Sequence, residues 1–148
     1  MYRKILVTLD GTPGDEAILQ HVRGLARLSG ASLVLFHVAD GWEARFLGSG
    51  VESEEAREDT KYLEGLTQSL RNEGFAVEAM LGFGDPGREI VRLAGEHGCD
   101  LIAMSTHGRT GVGRWFLGSV AEKVLRASST PLLLLRAPGA PTAAPGAG

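Results

Sequence analysis

The sequence holds one cysteine, Cys99, in 148 residues. An internal disulfide is therefore excluded, and the single thiol fits a reducing compartment. It also lacks an excess of basic charge. The net charge is −3, which gives no support to a nucleic-acid-binding surface. No apolar stretch reaches membrane-spanning length. Met1-Tyr2-Arg3-Lys4 runs straight into a short apolar segment, without the hydrophobic region and small-residue cleavage site of a signal peptide. These absences lead to the expectation of a cytoplasmic protein, with neither nucleic acid nor membrane among its partners.

Several catalytic signatures are missing too. There is no G-x-x-x-x-G-K-[S/T] phosphate loop and no G-x-S-x-G nucleophile turn. His21, His37, His97 and His107 show no metal-ligand spacing with Cys99. Ordinary structural histidines are expected, and no metal ligand or catalytic residue is assigned.

What is present suits one soluble globular domain. Hydrophobic residues make up 43% and charged residues 22%, and the length is enough to bury a core. Ile5-Leu6-Val7-Thr8-Leu9 reads as a strand buried on both faces. Asp10-Gly11-Thr12-Pro13-Gly14 breaks it with turn chemistry. A helix is expected from about Asp15 to Ser29, with Ile18, Val22 and Leu25 on one stripe and Gly30 at its end. Ser32 to Val38 is the second strand. From Ala39 to about Gly50 the pattern fails, and an irregular segment over a site is expected. An acidic helix follows, about Ser53 to Asn72, its apolar side carrying Ala56, Leu63, Leu66 and Leu70. The third strand is placed at Phe75 to Leu81. Asp85 as N-cap and Pro86 at the first helical position open the next helix. Leu101 to Met104 is the fourth strand, Val120 to about Ala127 a helix, and Pro131 to Arg136 the last strand.

Apolar strands alternating with amphipathic helices predict a single α/β domain. It is a doubly wound, five-stranded parallel sheet, order 3-2-1-4-5, with helices on both faces. Residues 1–137 form that domain. The tail, 138–148, contains only Ala, Pro, Gly and Thr, and is expected to be disordered.

In such sheets ligands bind beyond the carboxyl ends of the strands, where strand order reverses. That rule brings Asp10, Val38 and Ser105 to one edge. The stretch Ser105-Thr106-His107-Gly108-Arg109-Thr110-Gly111-Val112-Gly113-Arg114, running on to Gly118-Ser119, links a strand to a helix through glycines. Backbone N–H groups of such a loop, with a helix N-terminus behind them, favour anions, and Arg109 and Arg114 add positive charge. Phosphate binding follows. Ser119 and Glu122 have the spacing of a capping box, and the Glu122 carboxylate has to point away if phosphate is to bind there. Gly82-Phe83-Gly84-Asp85-Pro86-Gly87 matches G-x-G-x-x-G but reads as a turn and cap. The fingerprint wants an acid at the end of the next strand, and that strand ends in Ser105.

These motifs together resemble the universal stress protein family. The resemblance rests on Lys4-Ile5-Leu6-Val7-x-x-Asp10-Gly11, Gly84-Asp85-Pro86 and Ser105-Thr106-His107-Gly108-Arg109-x-Gly111. Gly118-Ser119-Val120-Ala121-x-x-Val124 and Pro131-Leu132-Leu133-Leu134-Leu135 complete it. It spans about Arg3 to Arg136 and implies a fold similar to the adenine nucleotide alpha hydrolases. ATP-binding members are similar in carrying G-x2-G-x9-G-[S/T]. Gly108, Gly118 and Ser119 match, and Ser105 replaces the first glycine. The resemblance implies that Asp10 and Val38 contact the adenine and ribose, with Thr8 and Leu9 lining that end. It implies that Gly108, Arg109, Gly118, Ser119 and Val120 hold the phosphates, usually with Mg²⁺, and that Met104 and Ser105 also belong to the nucleotide site. It implies a homodimer through Leu132 to Leu135. The function expected is an ATP-binding regulatory or stress-response protein with at most slow hydrolysis. A nucleotide hydrolase using His107 or Glu122, and an interaction module with an empty site, are the alternatives.

Overall fold

The computed structural model describes residues 1–39, 54–106 and 118–136. The irregular segment expected after Ala39, the stretch His107 to Leu117 and the Ala/Pro/Gly tail lie outside the described residues.

Five strands, β1 (Lys4–Leu9), β2 (Ser32–Ala39), β3 (Val77–Phe83), β4 (Leu101–Ser105) and β5 (Leu132–Leu135), form one sheet in the order β3-β2-β1-β4-β5. Every pairing is parallel. The helices between them are α1 (Gly14–Ser29), α2 (Glu54–Asn72), α3 (Pro86–Glu96) and α4 (Ser119–Ala127). The fold is the doubly wound α/β sheet that the alternation predicts.

The central strand explains the layering. Ile5, Leu6 and Val7 of β1 are fully buried, because neighbours pair with both edges and helices cover both faces. A strand alternates its side chains. Ile5, Val7 and Leu9 pack with Leu33, Leu35 and Ala103 against Ile18, Leu19 and Val22 of α1 and Leu63 and Leu70 of α2. Leu6 joins Val34, Phe36, Ile102 and Met104 against Ile90, Leu93 and Ala94 of α3 and Ala121 and Val124 of α4. Each large apolar side chain buried this way contributes about 1.5–3 kcal/mol. Truncating a central one such as Ile18 costs about 2–5 kcal/mol.

The helix ends follow local chemistry. Asp85 caps α3 by accepting a hydrogen bond from the Arg88 N–H at 3.1 Å, with Pro86 in the first turn. Its carboxylate also pairs with Lys123 of α4 at 2.5 Å, and the Lys123 hydrogen bond holds it below the usual carboxylate range. Gly30 ends α1 at φ 73°, its N–H donating to Ala26 O.

Two expectations need correcting. The third strand begins at Val77 rather than Phe75 and runs to Phe83. Gly74, at φ 99°, and Phe75 belong to the closure of α2: Phe75 N–H donates to Leu70 O at 3.1 Å, and the Arg27 guanidinium lies 5.3 Å from the Phe75 ring centre. The strand runs on through Gly82, which pairs with Val38. A Cβ at Gly82 would sit 2.5 Å from the Phe36 ring, so only glycine fits under it.

The capping box is the second correction. Gly118, at φ 68° and ψ 141°, is the N-cap of α4, and Ser119 is already helical. A helical Ser119 cannot be the N-cap. Glu122 N–H donates to Gly118 O at 3.0 Å as an ordinary helical bond, and the Glu122 carboxylate accepts from Arg126 at 2.7 Å instead of reaching back.

Candidate functional site

A parallel sheet sends the carboxyl ends of all its strands to one edge, and here strand order reverses between β1 and β4. In open α/β sheets ligands bind at such a reversal, beyond the carboxyl ends of the strands. On the β1 side, Asp10 follows the strand directly. Its Oδ1 accepts hydrogen bonds from the Thr12 N–H at 3.0 Å and the Thr12 hydroxyl at 2.5 Å. That side-chain turn shapes the corner between β1 and α1. Thr8 and Leu9 precede it, opposite Phe36 and His37 of β2. Leu9 points into the α1/α2 core. Val38 lies one residue beyond the last pairing with β1, opposite Gly82.

On the β4 side, Met104 packs in the α3/α4 core, so only its backbone reaches the edge. The Ser105 hydroxyl turns toward α1 and donates to Gly14 O at 3.3 Å. Thr106 follows, 4% exposed, and its Oγ1 has no hydrogen-bond partner among the described residues. A buried hydroxyl without a partner is costly, on the order of 1–3 kcal/mol. α4 begins against this point. A Cβ at Gly118 would collide with the Thr106 carbonyl oxygen, so the helix N-terminus reaches the end of β4 only because residue 118 is glycine. Among the described residues no side chain caps α4 at Gly118. Its first N–H groups lack intrahelical partners and carry the positive end of the helix dipole. Ser119 is exposed and Val120 packs beside the α3/α4 core. Glu122, paired with Arg126 one turn on, leaves this end clear.

The corner is thus suited to an anion: a helix dipole, N–H groups and a buried hydroxyl without side-chain partners among the described residues, and close backbone approach. Among the described residues no cluster of three His, Cys, Asp or Glu could hold a metal ion. None of the described helices is long and apolar enough to cross a membrane.

A model of the universal stress protein family matches residues 1–136. The chain belongs to the universal stress protein family. The universal stress protein MJ0577 of Methanocaldococcus jannaschii is 31% identical, with 92% of this chain and 96% of that one covered. Universal stress protein YxiE of Bacillus subtilis is 30% identical over 92% of this chain and all of its own length, 100%. The solved structure of MJ0577 matches with a TM-score of 0.82 at 32% identity, covering 92% of this chain and 96% of that one. A universal stress protein of Archaeoglobus fulgidus, solved in complex with dAMP, shares the fold with a TM-score of 0.69 at 24% identity, covering 91% and 98%.

Of the residues expected in the site of this universal stress protein, Thr8, Leu9, Asp10, Val38, Met104, Ser105, Gly118, Ser119 and Val120 stand on the carboxyl edge or open the helix beside it. Gly108 and Arg109 lie outside the described residues. Three side chains at this edge were not legible as site residues. Asp15 is 3% exposed and accepts from the Asp10 and Gly11 N–H groups and from the Tyr62 hydroxyl. His37 is 1% exposed and its Nδ1 lies 2.8 Å from Leu9 O, so that nitrogen carries the proton. Its Nε2 faces Asp59 of α2 at 3.1 Å, out of line for a hydrogen bond. Thr106 is the third. The one signal was position: each lies within a few residues of a strand's carboxyl end or on the helix face over it.

Proposed function

We propose that this universal stress protein binds an adenine nucleotide, ATP with Mg²⁺, and acts as a regulatory protein with at most slow hydrolysis. The observation that carries the reading is the meeting of Gly118 with the Thr106 carbonyl, which sets a helix N-terminus beside a buried hydroxyl, neither of them capped or partnered by a side chain among the described residues. Base and ribose take the end lined by Thr8, Leu9, Asp10 and Val38. The phosphates take the Gly108, Arg109, Gly118, Ser119 and Val120 end. The described acids form no metal cage, so Mg²⁺ would come with the phosphates and keep waters as ligands, as that ion commonly does. The dAMP complex of the Archaeoglobus fulgidus protein is in keeping with an adenine nucleotide as ligand.

No described group is poised as a general base. Glu122 is held by Arg126, and Asp10 sits at the base end. Release of phosphate at ordinary enzymatic turnover, roughly 1–10³ s⁻¹, would therefore contradict this reading. The second part of the proposal is a cytoplasmic homodimer through β5. Leu132 to Leu135 form an edge strand whose four residues are only half-buried, and such an edge needs covering. Calorimetric titration with Mg·ATP tests the nucleotide reading. One site per chain supports it. No heat from protein shown to carry no nucleotide would overturn it.

A further inference from the structure

Asp15 stands in the first turn of α1, yet it is 3% exposed. Its Oδ1 accepts from the Asp10 N–H at 3.0 Å. Its Oδ2 accepts from the Gly11 N–H at 2.7 Å and from the Tyr62 hydroxyl at 2.8 Å. Asp10 and Gly11 are the first two residues after β1. In an open α/β sheet, N–H groups at such a strand-to-helix corner are natural anion donors. Here the protein's own carboxylate fills them, so a phosphate is excluded by occupied donors and by like charge. The anion is left with the β4–α4 corner, across the switch point.

Resting on the nucleotide reading above, we propose that Asp15 is a positioning residue. Braced by Tyr62 of α2, its carboxylate locks the Asp10 and Gly11 amides and orients the ligand, uncharged end toward β1 and phosphates toward α4. Two acceptor oxygens are required. A neutral carboxyl or an asparagine would set a donor against one of the amides. Burial also raises the Asp15 carboxyl to about 6, with the Asp10 charge adding to the rise and the amide and Tyr62 hydrogen bonds opposing it. The ionised form near neutrality is thus unfavourable for folding, as is common for a group serving a site. Among the described residues, the titratable groups around it are Asp10 on the turn, Glu16 beside it on α1 and Tyr62 on α2. Next to Leu9, His37 of β2 faces Asp59 of α2. The described end of β4 brings the hydroxyls of Ser105 and Thr106.

The test has two arms on the full chain. Amide hydrogen exchange, read by NMR without ligand, is expected to be about tenfold faster or more at Asp10 and Gly11 in Asp15→Ala, from the loss of charged hydrogen bonds. ATP affinity is then measured across the pH range for wild type and Asp15→Asn, and their ratio cancels the titration of ATP itself. Wild type should bind about tenfold tighter near pH 8, and the ratio should fall toward one below about pH 6. Tyr62→Phe keeps the carboxylate and should move the inflection to higher pH, which serves if the alanine variant fails to fold. Unchanged exchange at both amides overturns the lock. Faster exchange with a ratio flat in pH overturns its link to the ligand. If wild type binds no ATP at any pH while exchange responds as expected, the nucleotide reading falls, and the positioning role with it.

Discussion

Replacing Gly118 by alanine should damage both stability and binding. The backbone at Gly118, φ 68° and ψ 141°, lies in a region that L residues rarely enter, and holding a side chain there costs about 1–3 kcal/mol. The new Cβ would also collide with the Thr106 carbonyl oxygen. That is backbone and cannot swing aside as a side chain can. Relieving the overlap adds about 1–3 kcal/mol, as overpacking does. The sum is about 2–6 kcal/mol. At about 2–4 °C per kcal/mol for a domain near this size, Tm should fall by roughly 4–24 °C. Should α4 instead shift away, the loss of stability will be smaller, but its N–H groups then leave the Thr106 corner and ATP affinity drops. Thermal unfolding and calorimetry on the same preparation read both. A Tm within about 1 °C of wild type together with unchanged ATP affinity would refute the reasoning.

Three further outcomes follow from the same geometry. The raised Asp15 carboxyl, about 6 against an ordinary 3.8, makes the folded state bind its proton more tightly than the unfolded state. The stability this contributes is full below about pH 4 and is lost as pH rises through about 6, at most ~3 kcal/mol. Denaturant titrations across that window should show the slope in wild type and not in Asp15→Asn, and equal slopes would contradict the assignment. Ser105→Gly removes a long hydrogen bond to Gly14 O and adds backbone freedom, a loss of about 1 kcal/mol. ATP affinity should stay the same or rise, because the hydroxyl faces α1, and a large loss by calorimetry would place it on the ligand. Sedimentation of the full chain should show a dimer, and a monomer at concentrations of tens of micromolar would remove β5 as an interface.

Much of the architecture was legible because it rests on patterns that local physics enforces. The apolar runs of β1 and β4 read as doubly covered strands, and Ile5 to Val7 and Leu101 to Ala103 are indeed buried. Gly84-Asp85-Pro86 spelled its own turn and cap. Phe75 misled because an aromatic residue before a strand looks like its start, while its backbone closes α2. Ser119 misled because the capping-box spacing holds no information on φ, and a glycine at positive φ moved the start of α4 back by one residue. Asp15 and Tyr62 are 47 positions apart, and neither has a periodicity that points to the other. Only the packing of α2 across the carboxyl edge brings them together, and with them the detail that distinguishes a general corner for anions from a site with a direction.

The central claim, that this edge holds an adenine nucleotide, is tested most directly by the nucleotide content of the purified protein, released by denaturation and separated by chromatography. The account predicts ATP in near-stoichiometric amount, bound tightly and turned over slowly. ADP alone would contradict the slow turnover and favour a hydrolase. No nucleotide, followed by no heat on adding Mg·ATP, would contradict the site itself.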